Sequence, residues 1–174
     1  IYGKDESWLF GTIKYHLGAG SFNASHTTPE ISNIYRFIGN SKHRPKAVTM
    51  EISSEALALH RVYGFYIDIA VWTNLTQDHL NFHKDMDSYY EAKKRLFTEN
   101  LKKSGIAVIN IDDEWGRKLN RELHGVSKVT YGFNDTCDVR INNFTTSWSG
   151  TEVEIIYENK KMIFNSRLAG DFNS

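Results

Sequence analysis

Short apolar runs alternate with stretches of helical periodicity along most of the chain. AVTMEIS (Ala47–Ser53) and IDIAVWTN (Ile67–Asn74) are continuous apolar runs of strand length, as expected of strands covered on both faces in a parallel sheet. GIAVINI (Gly105–Ile111) is a third such run, and KVTYGF (Lys128–Phe133) a shorter fourth. Helical patterns lie between them. PEISNIYRFIGN opens on Pro29, whose fixed φ suits a first helical turn, and sets Ile31, Ile34, Tyr35 and Ile38 on one face. SSEALALHRV follows the first run. MDSYYEAKKRLFTENLKK follows the second, with Tyr89, Leu96, Phe97 and Leu101 as its buried stripe. DEWGRKLNRELHG follows the third. This order predicts an α/β fold, a mostly parallel sheet flanked by helices.

The texture changes after Cys137. VRINNFTTSW, GTEVEIIYE and KKMIFNSRL alternate or run apolar around turn signals such as SGT and ENK, which predicts antiparallel hairpins. They are expected to extend one edge of the sheet. No internal repeat, low-complexity tract or linker interrupts the 174 residues. The chain is therefore read as a single domain, long enough to bury a sizeable core.

Basic and acidic residues balance at 21 each. No basic surface for nucleic acid or an acidic membrane is expected, and any anionic ligand has to be held by local geometry. Cys137, the one cysteine, excludes an intrachain disulfide and fits a reducing cytoplasm. With no charged-then-apolar leader and no long uncharged apolar run, neither a signal peptide nor a membrane helix is expected. The chain opens at Ile1 without a methionine and stops at LAGDFNS, so it is expected to be a piece of a longer protein.

In a parallel α/β sheet, ligands bind beyond the carboxyl ends of the strands. Glu51, Ser53 and Ser54 follow the first run, Thr73, Asn74, Asp78 and His79 the second, and Asn110, Asp112 and Asp113 the third. Such a set could hold a Mg²⁺ that in turn holds phosphate, because Mg²⁺ takes oxygen ligands and usually keeps water or phosphate oxygens. Each residue also has a plain structural reading. Asp78 could be a helix N-cap, Glu51 a solvated acid, His79 a packed histidine, and Asp112–Asp113 a turn and cap. Lys93 and Lys94 could be a solvated helix face. Spacing alone leaves both readings open.

HTTPE (His26–Glu30), MEISSEALALHRV (Met50–Val62), TNLTQDHLNFH (Thr73–His83) and EAKKRLF (Glu91–Phe97) stand in an order and spacing that resemble the central domain of the Mur ligases, the MurE (tripeptide synthetase) type above all. The resemblance runs from GTIKY (Gly11–Tyr15) to GDFNS (Gly170–Ser174). It implies a P-loop-NTPase-like domain with a C-terminal antiparallel β extension, from a cytoplasmic, ATP-dependent amide ligase of peptidoglycan synthesis. Cell-wall biogenesis, cell shape and cell division are the processes implied. The implied substrates are UDP-MurNAc-L-Ala-D-Glu and a diamino acid or other amino acid. ATP phosphorylates the terminal carboxylate, the incoming amine attacks the acyl phosphate, and phosphate leaves. Two anions have to meet, so positioning and charge neutralisation carry such chemistry.

By the same resemblance Glu51 and His79 are Mg²⁺ ligands, and Asn74 and Asp78 orient the loop around them. Lys93 matches a lysine that CO₂ carbamylates, which turns a cation into an anion whose oxygens suit Mg²⁺; Lys94 is a neighbour. A neutral amine is the reactive form, so burial is expected to lower the Lys93 pKa. Thr27, Thr28, Ser53 and Arg61 match positions that hold the muramyl peptide. Arg61 offers a planar fork for a carboxylate, although it could also be a surface arginine packed on its own helix. Asn173 begins the F-N-x-x-N segment that approaches adenine. Three positions depart from the pattern. His26 stands where an Asn usually precedes the two threonines, Glu55 where many relatives carry a His, and Leu59 at a polar substrate contact of some members. They bear on substrate grip and not on the class.

The family's G-T-N-G-K-[ST] phosphate loop does not occur, and the glycines around Gly18 and Gly20 lack its lysine. The family's uridine-binding and amino-acid-selecting domains are expected to be missing too. The chain alone is therefore expected to show no ligase turnover. Without the phosphate-loop unit, apolar sheet surface is expected to drive self-association. Two alternatives remain: another Mur ligase or folylpolyglutamate-synthase-like ligase, or a non-catalytic module that only binds muramyl peptide or a partner protein. Retention of Glu51, His79 and Lys93 argues against the module, since a pure binder has little use for metal ligands.

Overall fold

The computed structural model describes residues 6–18, 20–41 and 44–167. They fall into two compact units. The first holds the described residues up to Tyr66 together with Gln77–Asn100, and the second holds Ile67–Thr76 with those from Leu101 onward.

In the first unit, β1 (Ser7–Phe10), β2 (Lys14–Leu17), β3 (Gly20–Asn23) and β4 (Ala47–Met50) form a sheet of order β3-β2-β1-β4. β1 runs antiparallel to β2 and parallel to β4, with Phe10 opposite Met50. Nothing in the pattern predicts β1, β2 or β3; at four residues each they are too short for an alternation to stand out. Trp8, Phe10 and Tyr15 are buried together, and Phe37 and Ile38 of α1 (Ile31–Asn40) pack against them. Phe10 and Tyr15 meet edge to face with centroids 5.3 Å apart, an arrangement that adds to their area burial. Tyr35 is exposed, so the packed face of α1 is Ile34, Phe37 and Ile38. Its N-cap is Glu30, and Pro29 precedes the helix.

α2 (Ser54–Ala58) is capped by Ser53, whose Oγ accepts from the Ala56 N–H at 3.2 Å. It is shorter than the sequence pattern because His60 adopts φ 55°, a left-handed conformation that ends a helix. α3 (Met86–Arg95) is capped by Asp85, which accepts the Ser88 N–H at 2.7 Å. The helical pattern continues beyond Arg95, but the backbone widens into a π-helical turn over Leu96–Asn100. Buried Asn100 donates through Nδ2 to the carbonyls of Val62 (2.8 Å) and Phe65 (2.9 Å).

The second unit is a six-stranded sheet. It contains β5 (Ile67–Trp72), β6 (Leu101–Asn110), β7 (Ser127–Gly132), β8 (Val139–Ser147), β9 (Gly150–Tyr157) and β10 (Lys160–Ser166), ordered β10-β9-β8-β7-β6-β5. Pairings from β5 through β8 are parallel, and those from β8 through β10 antiparallel. The hairpins thus extend one edge of a mostly parallel sheet, as the pattern predicts. Cover differs from expectation. Ala70, Trp72, Ala107 and Ile109 are buried, and α4 (Glu114–Glu122) lies against β6 with Leu119 buried. Ile69 and Val71 pair with Ile106 and Val108 on the opposite face, where Ile69 is 59%, Val71 51% and Ile106 37% exposed.

Candidate functional site

Glu51 directly follows β4, and the parallel β1–β4 register sets it beside Gly11 and Thr12, which follow β1. Its N–H donates to the Phe10 carbonyl at 2.9 Å. Its own carbonyl accepts from the Thr28 hydroxyl (2.9 Å), which in turn accepts the Ser53 N–H (2.9 Å). The carboxylate accepts at Oε2 from both the N–H (3.2 Å) and the hydroxyl (2.8 Å) of Thr12. Thr27 Oγ1 lies 3.2 Å from Thr12 Oγ1. Glu51 is exposed, so an anchored carboxylate offers hard anionic oxygen to solvent. Thr28 is buried with its hydroxyl engaged as both donor and acceptor. The polar atoms of Thr28 and Ser53, two positions with a substrate role by resemblance, brace the loop around Glu51.

His79 and Lys93 meet at one ring. His79 stands edge-on to Tyr89 with centroids 5.9 Å apart, and Lys93 Nζ lies 5.4 Å over the same ring. Tyr89 and Lys93 are one turn apart on α3, which puts them on one face. His83 is stacked on Tyr89 at 4.9 Å, with its Nε2 2.9 Å from the Ser54 hydroxyl. Burial, helped by the nearby His79, lowers the His83 pKa, while Glu55 pulls it the other way. Burial, then the charge of Asp78, raises the Tyr89 phenol pKa against the hydrogen bond with Ser54.

His79 adopts φ 54°. Its N–H donates to Asp78 Oδ1 at 2.7 Å, and its carbonyl accepts from the N–H groups of Phe82 (3.0 Å) and His83 (2.8 Å). Asp78 therefore serves the His79 turn, while the cap of α3 is Asp85. The imidazole stands between two carboxylates: Nε2 is 3.5 Å from Asp78 Oδ2 and Nδ1 3.8 Å from Glu55 Oε1. Among the described residues, no group of three or more His, Cys, Asp or Glu side chains is close enough to hold one ion. The structure thus brings His79 and Lys93 together at Tyr89, and seats Glu51 in a cradle of threonines.

Arg61 turns its Nε toward Glu30 Oε1 at 3.4 Å, so its fork meets an acid of the HTTPE segment. Asn74 belongs to the second unit and is exposed. Asn173 lies outside the described residues. The residues after β6 knit the strand ends of the second unit. Asn110 donates to the Thr73 carbonyl at 2.8 Å, and Asp112 accepts the Phe133 N–H at 2.7 Å. Asp113 caps α4 through the Gly116 N–H (2.7 Å) and accepts from Trp72 Nε1 (2.8 Å). Theirs is the turn-and-cap role. Thr12, His83 and Tyr89 carry contacts that no motif assigns, and Ser54, one of the strand-end hydroxyls, bonds His83. The available signals were slight: Thr12 lies in GTIKY, His83 closes TNLTQDHLNFH, and Tyr89 stands one turn before Lys93.

A mostly parallel sheet with helical cover, and acids and hydroxyls gathered after its strands, defines an α/β protein of the kind that binds ligands beyond strand ends. The chain belongs to the Mur ligase family: residues 1–174 match the profile described as the Mur ligase middle domain. A relative from Geobacter metallireducens, named UDP-N-acetylmuramoyl-L-alanyl-D-glutamate–2,6-diaminopimelate ligase, is 41% identical over 171 residues, covering 95% of this chain and 33% of the relative. An Aquifex aeolicus protein of the same name is 37% identical, covering 98% of this chain and 34% of that protein. A solved structure of a ligase of this name superposes with a TM-score of 0.80 at 28% identity, over 96% of this chain and 34% of that one. The chain spans about a third of the length of the curated relatives it matches.

Proposed function

We propose that the chain serves as the ATP- and Mg²⁺-handling part of a cytoplasmic ligase that joins 2,6-diaminopimelate to UDP-MurNAc-L-Ala-D-Glu. The relatives' names supply the substrates. The single observation that carries the reading is the Tyr89 ring, where Lys93 and His79 meet beside two carboxylates. Glu51, His79 and a carbamylated Lys93 would hold Mg²⁺. The donor chemistry fits: an exposed carboxylate, an imidazole flanked by acids, and a half-buried amine on the same ring. When bound, Mg²⁺ neutralises the charge of the phosphate and of the acid it approaches.

The chain's own residues do the positioning. Thr28 braces the Glu51 backbone, Tyr89 orients Lys93 and His79, and Asp78 holds the His79 turn, with Asn74 beside that loop in sequence. Thr27, Ser53 and Arg61 face the muramyl peptide, whose carboxylate takes the place of Glu30 on the Arg61 fork. The D-Glu side-chain carboxylate takes the γ-phosphoryl group of ATP and ADP leaves. The diaminopimelate amine then attacks the acyl carbon and phosphate departs, leaving the amide. The open apolar face of β5 and β6 supports self-association of the chain.

Phosphate release by the protein that carries this chain tests the reading. Release is expected to require ATP, Mg²⁺, UDP-MurNAc-L-Ala-D-Glu and diaminopimelate together, and to fall about a hundredfold in Glu51→Gln and Lys93→Ala. Release that continues without the UDP-linked peptide would sink it. Binding of that peptide with no release under any condition would point to the non-catalytic module.

A further inference from the structure

Thr12 has one hydroxyl proton and two oxygen neighbours. Glu51 Oε2, at 2.8 Å, is an ionised acceptor and takes that proton in a charge-assisted bond. The same hydroxyl also points at Thr27 Oγ1, a neutral acceptor 3.2 Å away, so the nearer, ionised carboxylate oxygen is the stronger claimant on its one proton. The Thr12 N–H adds a second bond to the same oxygen, at 3.2 Å. Both fall on Oε2, so rotation of the carboxylate is restrained while Oε1 receives neither. The Glu51 backbone is clamped as well, by the Phe10 carbonyl on its N–H and the Thr28 hydroxyl on its carbonyl.

A turn does not need this threonine. The bend between β1 and β2 is closed by the backbone, Gly11 N–H to the Lys14 carbonyl at 3.3 Å. Thr12 is exposed, and the neighbouring core is built from Trp8, Phe10 and Tyr15. Its side chain works on Glu51 instead, 39 residues away in sequence.

We propose that Thr12 is a positioning residue for Glu51: through its hydroxyl and its N–H it fixes the carboxylate so that Oε1 is presented to a divalent cation. The proposal rests on the reading of Glu51 as a cation ligand. Mn²⁺ is titrated into the protein with a non-hydrolysable ATP analogue and followed by water-proton relaxation. Thr12→Val keeps the shape and the N–H but loses the hydroxyl, and its Mn²⁺ Kd is expected to rise about tenfold with Tm unchanged, while Thr12→Ser stays near wild type. Thr27→Val removes the competing acceptor and is expected to leave Mn²⁺ affinity at or slightly above wild type. Wild-type affinity in Thr12→Val, with poor binding by Glu51→Gln, overturns the role of Thr12 and leaves the Glu51 reading standing. Wild-type affinity in Glu51→Gln removes the Glu51 reading and the proposal together. Equal weakening in Thr12→Ser and Thr12→Val shows the hydroxyl is not the cause. If Thr12→Val lowers Tm, Thr12→Ala decides at a temperature where it is fully folded, and wild-type Mn²⁺ affinity there overturns the role of Thr12.

Discussion

A histidine pressed flat against a buried tyrosine has a preferred charge state. His83 is 5% exposed and its pKa is depressed below the ordinary 6.5, first by burial and then by His79. The unfolded chain therefore takes up a proton at a higher pH than the folded one. The stability this contributes is fully present above about pH 6.5 and is lost as pH falls from there through the folded pKa. We expect the wild type to lose stability between about pH 7.5 and 5.5, and His83→Gln to lose less. Denaturant titrations at the two pH values measure it, and an unchanged difference in His83→Gln would count against the assignment. At this scale the motifs pointed to Glu51, His79 and Lys93, and to Asp78 at the His79 turn, but not to Thr12 or to the Tyr89 ring. The reason is spatial. Thr12 reaches Glu51 through the β1–β4 register, and Tyr89 reads as core until His79 and Lys93 are seen on its ring.

Elements depend on single contacts of the same kind. α4 begins so close to the end of β6 that a Cβ on Gly116 would sit 1.9 Å from the Asn110 carbonyl oxygen and 3.3 Å from Trp72 Cδ1. Helix propensity favours alanine there, but backbone cannot yield as a flexible side chain can. Gly116→Ala is expected to cost about 1–3 kcal/mol or more, against the gain propensity alone would bring. Equilibrium unfolding reads the sign, and a stabilised variant would refute the close approach. The existence of α1, α3, α4 and the strands from β4 onward was legible from periodicity, but their ends were not. The pattern over residues 86–103 continues as a helix on paper. In the structure it gives way to a π-helical turn at Leu96, whose closing Asn100 bonds carbonyls more than thirty residues back, and then to β6 from Leu101.

For the whole molecule, the question is what an apolar run on both faces of a strand demands. The alternation-free sequence of β5 and β6 says that two covers are needed, and says nothing of where each comes from. One face has its cover in α4 and the buried Trp72 and Ile109. The other presents Ile69, Val71 and Ile106 as a contiguous exposed apolar patch next to the edge at β5. The chain carries no net charge to oppose association. Contiguous exposed patches of this kind seek a partner surface, and with repulsion absent the surface always at hand is a second copy. Sedimentation velocity of this chain is therefore expected to show a concentration-dependent rise in sedimentation coefficient. Ile69→Lys combined with Val71→Glu should remove that rise and lower binding of a hydrophobic dye, because both charges land on the open face and leave Ala70 and Trp72 in place. A wild-type chain that sediments as a monomer at all concentrations and binds little dye would mean the patch is too small to act.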